Sequence, residues 1–574
     1  MRSVTRREML GMAAAGVTAA LGPWRVRAAE TPTSSAPDSV VFNAKVYTVE
    51  PGATRTEAFA VRGGRFVAVG TNDAIRTLVG KGTQTFDAQQ MTIVPGFIDC
   101  HNHAVGEWLL YDVIVGNPFE VELVTIGSIV DKLRAKARRT PPGYWVEGFF
   151  FDDTKVKDKR ALDAHDLDQV SREHPVAVHH RGGHTAYYNN KALQMAGVTR
   201  DSANPPGGTF DRDAAGNLNG RVTDRARGVF EKVGQRQQFS TEEKLQRGQA
   251  AMAYMSKQFV RYGVTSVHHE HFAGAAEALR SIEAIRARNE LLHRVYFDVT
   301  GRQLDMLIES GVQTGLGDEW LRIGSTVEHV VDGSFSERTM ALSVPYPGLV
   351  SGYQGNVTET QDALDDWVLR MHRAGIQVNC HANGDVAIGA VLTALERAQQ
   401  KFPIPDTRPQ ITHCTLVTDS LLKRIKALGA VPAPFTTYAY YNSDKFHFYG
   451  ADLMRRCMAY RSFIDAGIVA AAGSDFPPGP FAPLMGIQGM VTRTGWNGET
   501  WGLEQRVTVA EALQINTLNG AYASHEESTK GSIAVGKAAD YVVLAEDPHT
   551  VAPDKIKDIK VVQTATGGRT VYAA

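Results

Sequence analysis

The stretch Val94-Pro95-Gly96-Phe97-Ile98-Asp99-Cys100-His101-Asn102-His103 decides how this chain is read. Its apolar half predicts a buried strand, and two histidines separated by one residue stand at the strand's end. Side chains at i and i+2 share one face of a strand, so both imidazoles can converge on one cation. An isolated H-x-H more often serves packing or a turn, because short motifs match by chance. Placement after an apolar strand reverses that preference, since active sites of parallel α/β barrels form at the C-terminal ends of the strands.

Working outward, the same arrangement recurs. The segment Gln377-Val378-Asn379-Cys380 predicts a strand that ends in His381, and Gln410-Ile411-Thr412 predicts one that ends in His413. Residues 468–475 predict a buried strand that delivers Asp475 to its own end. Helical patterns over 361–374 and 386–399 precede two of these strands. Repeated alternation implies a parallel sheet, and at this length closure into a (β/α)8 barrel over residues 95–529 is expected. Residues 106–235 are too many for a single connection, which predicts an inserted α/β segment over the barrel mouth, with Asn204-Pro205-Pro206-Gly207-Gly208 as an exposed loop.

Both ends of the mature chain read differently. Residues 30–94 carry short β-rich runs, including Val40-Val41-Phe42 and Phe66-Val67-Ala68-Val69, with a hairpin turn at Gly63-Gly64. Residues 530–574 show the same habit through Asp540-Tyr541-Val542-Val543-Leu544 and Thr570-Val571-Tyr572. Two β-rich ends around a different middle are expected to pair into one small β-sandwich.

The 574 residues are 43% apolar, and 61 Lys and Arg nearly cancel 62 Asp and Glu. No overall field draws in a nucleic acid or an anionic membrane, so a small-molecule partner is expected. Residues 1–29 hold Arg6-Arg7 with Met9-Leu10, a mild apolar run and a Val26-Arg27-Ala28 step. This resembles a twin-arginine signal peptide and predicts periplasmic export without stable membrane insertion, the run being shorter than the roughly 20 residues of a spanning helix. Only four cysteines occur, and Cys100, Cys380 and Cys414 each adjoin a histidine. In strands such thiols point away from the histidine face, so they are read as packing behind a site, with metal ligation by sulfur as the alternative, and not as a disulfide scaffold. A homo-oligomer is compatible with the sequence.

Motifs along nearly all of the mature chain resemble the amidohydrolase superfamily, and within it the branch of YtcJ-like proteins and N-substituted formamide deformylases (amidohydrolase family 3). They are the opening stretch through His103, Gly182-Gly183-His184 with Asn189, Gly263-Val264-Thr265-Ser266-Val267-His268, Asp332-Gly333-Ser334, His381-Ala382-Asn383-Gly384-Asp385, Gly473-Ser474-Asp475-Phe476-Pro477, and Gly531-Ser532-Ile533 through Asp540. The resemblance implies that His101, His103, His381, His413 and Asp475 surround one or two divalent ions, usually zinc. Where many relatives carry a carbamylated lysine that bridges two metals, four positions before Asp332, this chain has Glu328. Its carboxylate offers the same two oxygens; pairing with His329 is the alternative.

A divalent ion lowers the pKa of bound water to roughly 7 and polarises a carbonyl, both useful for amide cleavage. Asp475 is then expected to take a proton from that water and pass it to the leaving nitrogen, with pure metal ligation as the alternative. The family match makes His184 a donor to the carbonyl oxygen, a surface histidine being the alternative. His268 and His269, in the run His268-His269-Glu270-His271, are candidates for substrate contact or for support of the metal ligands. Relatives usually have aspartate at the position of His269. Aromatic residues between Phe435 and Tyr449, Tyr438 among them, either wall an apolar substrate pocket or form a packed loop. The expected reaction is hydrolysis of a small N-substituted amide. A cyclic amide hydrolase, a deaminase, an esterase and a non-catalytic periplasmic binding protein are the rivals.

Overall fold

The computed structural model describes residues 36–52, 55–104, 113–271, 275–348 and 352–574. The expected signal peptide at residues 1–29 lies outside the described residues. Among the described residues no helix is long and apolar enough to cross a membrane.

Two four-stranded parallel sheets form the centre. One runs Leu321–Thr326, Arg294–Val299, Val264–His269 and Phe97–Asn102; the other runs His329–Val330, Asn379–Ala382, Gln410–His413 and Val431–Ala433. Hydrogen bonds connect them on both sides. Thr326 N donates to Gln377 O at 2.9 Å, and across the other side Ala471 N donates to Pro432 O at 2.9 Å while Cys100 N donates to Ala472 O at 2.7 Å. Residues 468–475 do not form the regular strand expected of them. They make isolated parallel bridges, Gly473 to Phe435 and, just beyond, Phe476 to Asn102, because the chain turns at Asp475 into a left-handed φ of 54°. The strand expected at 377–380 lies two residues later, at Asn379–Ala382, so His381 sits within it.

The helices behave as their patterns predict. Gln361–Arg373 and Asp385–Lys401 bury Leu364, Val368, Met371, Ile388, Val391 and Leu395 in one cluster with Val378, Cys380 and Ile411 of the strands. Thr241–Arg261 begins at a capping box in which Ser240 and Glu243 satisfy each other's backbone N–H groups, worth about 1 kcal/mol. Its stripe of Met252, Met255, Phe259 and Val260 faces the core at helical spacing, each side chain contributing roughly 1.5–3 kcal/mol by burial. The helix ends at Gly263, whose φ of 83° lets the chain reverse into Val264–His269; a Cβ there would press at 3.0 Å on Phe97 and Val542.

A five-stranded sheet joins both chain ends: Lys45–Val46 and Thr92–Pro95 lie beside Tyr541–Leu544, Val561–Thr566 and Arg569–Ala573. A second sheet, Arg65–Gly70, Ala58–Arg62, Ser39–Phe42 and Gln84–Asp87, shares its apolar cluster, in which Val41, Phe59 and Phe66 meet Ile93, Tyr541 and Val543. Gly63 and Gly64 turn the expected hairpin with φ of 57° and 77°. Within the expected insertion, strands Val146–Phe151, Val176–His180, Thr185–Tyr188, Leu218–Thr223 and Phe210–Arg212 make a five-stranded sheet of their own, packed on clusters around Leu133 and Phe230. All four cysteines are free and buried.

Candidate metal centre

The C-terminal ends of the parallel strands bring six expected residues together. His101, His103 and Glu328 offer donor atoms within 4.8 Å of one another, as do His101, His413 and Asp475, and Glu328, His381 and His413. Glu328 belongs to two of these groups. Its Oε1 lies 3.5 Å from His103 Nε2, and its Oε2 lies 3.6 Å from His101 Nε2, 3.2 Å from His381 Nδ1 and 3.6 Å from His413 Nε2. Asp475 Oδ1 faces His101 Nε2 at 3.3 Å and His103 Nε2 at 3.2 Å. The alternative pairing of Glu328 with His329 does not occur: His329 faces Glu359 at 2.6 Å and stacks on Trp367.

Each side chain is held from behind. Asp99 accepts from the backbone N–H of Ser474 and from the Ser474 hydroxyl, at 2.9 and 2.6 Å, and from Asn102 Nδ2 at 2.8 Å, tying the two segments that carry His101 and Asp475. Glu270 lies 3.3 Å from His101 Nδ1 and accepts from Asn379 Nδ2 and from the backbone N–H of Glu328. A carboxylate on Nδ1 fixes the ring so that Nε2 faces the ring of donors. Asp332, of the Asp-Gly-Ser motif, accepts from the backbone N–H groups of Ala341, Asn383 and Gly384, which pins the turn after His381. His413 stacks on Phe435 at 4.2 Å, and Phe435 on Tyr438 at 3.8 Å. His413 and Asp475 both take left-handed φ, 67° and 54°, a conformation that costs a non-glycine residue roughly 1–3 kcal/mol and persists only where the surroundings impose it.

The electrostatics test whether this set fits a cation. Burial opposes charge on every member. Even so, the carboxylates of Glu328, Asp475 and Glu270 raise His101 well above the ordinary imidazole pKa, and Glu328 raises His381 to about 9. Glu328 is in turn held below the usual carboxylate range against its burial by His101 and His381, and Asp475 by His413 and His101. Burial and the neighbouring His381 push His413 down. No Lys or Arg pairs with Glu328 or Asp475 among the described residues. Among the described residues, imidazole protons are thus the only counter-charge to these carboxylates. A divalent cation supplies it with the imidazoles neutral, and the buried Nε2 of His101, which has no hydrogen-bond partner, fits a ligand role.

A cavity of about 610 Å³ opens onto these residues. His103, Glu328, His381, His413 and Asp475 are among its lining residues. Phe149, Phe150, Arg181 and His184 of the 146–223 sheet and its turns line it as well. His184 Nδ1 lies 2.9 Å from Asp224 Oδ1, and its turn passes close over Glu337: a Cβ on Gly182 would meet Glu337 Oε1 at 2.0 Å.

Three residues expected to contact substrate do not line the cavity. His268 and His269 are fully buried and do not line the cavity; His268 stacks against Tyr296, and His269 lies 2.9 Å from His293 Nε2 against the helix that bears Phe259. Alternation along the strand and its burial on both faces turn them inward, and it is Glu270 and His271, just past the strand, that reach the cavity. Tyr438 is also behind the wall. Its hydroxyl donates to Asp475 Oδ2 at 3.2 Å, and of the aromatic stretch only Phe435 lines the cavity. Sequence reasoning did not single out Asp99, Asp332, Glu337, Arg227 or a second cluster of Asp152, Asp153 and His180. Asp99 and Asp332 lie inside quoted motifs, where the signal was present; the others carry none.

The amidohydrolase family pattern matches residues 84–572. The chain is 25% identical over 540 residues to the N-substituted formamide deformylase of Arthrobacter pascens, covering 92% of this chain and 97% of that protein. It is 26% identical over 544 residues to the putative amidohydrolase YtcJ of Bacillus subtilis (strain 168), covering 92% and 98%. Its fold is similar to that of an uncharacterized metal-dependent hydrolase from Pyrococcus horikoshii OT3, with a TM-score of 0.68 at 21% identity over 90% of this chain and 99% of that one. With a buried carboxylate and histidine ring at its parallel strand ends and a family pattern that runs nearly from end to end, this chain belongs to the amidohydrolase family.

Proposed function

We propose that the protein hydrolyses the carbon–nitrogen bond of a small N-substituted amide, such as a formamide or an acylated amine, at the ring of His101, His103, Glu328, His381, His413 and Asp475. The observation that carries this reading is the position of Glu328, whose two oxygens face two overlapping groups of histidines with no lysine or arginine paired to them among the described residues. That arrangement suits two divalent ions, zinc being the ion whose tetrahedral preferences match imidazole and carboxylate donors. Such an ion supplies Lewis acidity and a water nucleophile at neutral pH. The framework we infer is a closed (β/α)8 barrel over residues 95–529, with residues 30–94 and 530–574 forming a β-sandwich and 106–235 an insertion. Export to the periplasm by residues 1–29 belongs to the same proposal.

The chain's own residues do the rest. Asp475, oriented by the Tyr438 hydroxyl and by its short tie to His101, accepts a proton at Oδ1 and returns it to the departing nitrogen. His184, whose Nδ1 is engaged by Asp224, presents its ring to the cavity as donor to the carbonyl oxygen. Phe149, Phe150 and Phe435 exclude water around an apolar substituent. Elemental analysis of purified protein, with a screen of N-formyl and N-acyl amines before and after chelation, tests this. Release of a carboxylate and an amine, lost on chelation and restored by zinc, is expected. Release of ammonia instead makes the protein a deaminase, and metal-loaded protein without turnover of any amide makes it a binding protein.

A further inference from the structure

One cation on the cavity wall has no part in the chemistry above. Arg227 sits on the 3-10 helix Asp224–Lys232 and lines the cavity. Its Nε is shielded from solvent and has no hydrogen-bond partner, and among the described residues its guanidinium forms no ion pair. A buried donor without a partner is rare in a folded protein and marks a group that awaits one.

The other basic groups of that wall are all engaged. The Arg181 guanidinium donates to Pro477 O at 2.9 and 2.7 Å, to Asn117 O, to Pro118 O and to the Tyr441 hydroxyl. His179 faces Glu147 at 3.0 Å, His180 lies between Asp153 and Glu337, and His184 is taken by Asp224. Burial pushes His271 down to about 4, so it is uncharged at neutral pH. The cavity that Arg227 shares with the carboxylates of the donor ring is also lined by the apolar Phe149, Phe150, Phe435, Val330, Pro477 and Pro478.

We propose that Arg227 binds a carboxylate of the substrate, so that the amide hydrolysed here is an N-acyl compound with an apolar body and an acid group. This rests on the amide reading above. A guanidinium offers a planar fork that matches a carboxylate. One unpaired guanidinium balances one negative charge, which favours a carboxylate over a phosphate dianion. A neutral substrate leaves Nε buried and unpaired; a carboxylate satisfies it.

The test compares N-formylphenylalanine with N-formylphenethylamine, which differ only by the carboxylate, on the zinc-loaded protein. The wild type is expected to favour the acid at least tenfold in kcat/KM, mostly through KM. R227Q should erase that preference, R227K should keep part of it, and R227E should favour the neutral amide. A wild type that prefers the neutral compound, or an R227Q variant that keeps the wild-type preference, overturns the proposal. Calorimetric binding of 3-phenylpropane-1-sulfonate, an anion that ligates zinc poorly, reads Arg227 without turnover. Binding at least tenfold weaker in R227Q than in wild type, with R227K between, supports the proposal, and equal binding overturns it. If neither formamide is hydrolysed while the sulfonate still distinguishes R227Q from wild type, it is the amide reading that fails and not the anion site.

Discussion

Two clusters of acids and histidines, the second reaching the cavity only through His180, are neutralised in opposite ways. In the ring at the parallel strand ends, imidazoles are the only possible cationic partners of Glu328 and Asp475 among the described residues. In the cluster on the 146–223 sheet, Asp152 accepts from Lys155 at 3.0 Å and from Lys445 at 2.9 and 3.0 Å, Asp153 faces Arg338 at 3.5 Å, and His180 lies between Asp153 and Glu337. The residue types alone would nominate both for a metal. The two buried lysines decide otherwise for the second, because a cation already balances its carboxylates and an incoming ion would have to displace it. Lys155 also lies 4.1 Å from the centre of the Tyr441 ring, and Tyr441 in turn meets Arg181, so the second cluster fixes the turn that bears Gly182, Gly183 and His184 over the cavity.

That contrast is broken most severely at Asp475. D475N is expected to lower kcat by roughly 10²–10⁴, the range of a general acid–base group, while elemental analysis finds the protein still largely loaded with metal. Retained turnover would remove Asp475 from the chemistry. The matching change in the second cluster is K445M. It leaves Asp152 buried with one of its two lysine partners gone and should cost about 3–5 kcal/mol of stability, read as a lower Tm or denaturation midpoint, with metal content unchanged. Loss of metal in K445M with unaltered stability would mean that the roles of the two clusters have been exchanged.

How much of this was legible in the sequence differs by cluster for a physical reason. His101, His103, His381, His413 and Asp475 stand at or beside the ends of apolar segments, so strand periodicity announces both the fold and the convergence of the donors. Glu328 was found only through the family's lysine position, since nothing local in Val327-Glu328-His329 distinguishes a ligand from a surface glutamate. The second cluster joins residues 152–155, 180, 337 and 444–445, and only tertiary packing makes them neighbours. The run His268-His269-Glu270-His271 shows the limit within a motif. Composition marks it as polar and functional, but which member reaches the cavity depends on where the strand stops, a boundary of one residue. The same limit shifted the expected strand 377–380 and hid the irregular backbone at 468–475.

The pH dependence sharpens the comparison with a smaller effect. Burial lowers the pKa of His180, but Asp153 and Glu337 outweigh it and raise the pKa to about 9. A raised histidine pKa contributes stability that is fully present below the unfolded value near 6.5 and is lost as the pH rises through about 9. At 1.36 kcal/mol per pKa unit, the contribution is at most roughly 3 kcal/mol. The zinc-loaded wild type should therefore lose stability between pH 6.5 and 9 more steeply than H180Q. Parallel curves would show that His180 is not held as a cation by its two acids.

The mildest change is Y438F, and it separates support behind the wall from contact with substrate. The phenol donates to Asp475 Oδ2 at 3.2 Å, and its ring stacks on Phe435, an arrangement that phenylalanine preserves. Loss of one hydrogen bond to a charged acceptor is worth about 1.5–3 kcal/mol, and the remaining contacts of Asp475 with His101 and His103 should keep the effect at the lower end. A fall in kcat of about tenfold, equal for every amide tested and with KM unchanged, is expected if Tyr438 acts only by holding the carboxylate. A change in KM that varies with the substrate's substituent would instead place the phenol in the cavity. The full burial of the Tyr438 side chain and its absence from the cavity lining argue for the first outcome, because a group that never meets the substrate has no means of discriminating among substituents.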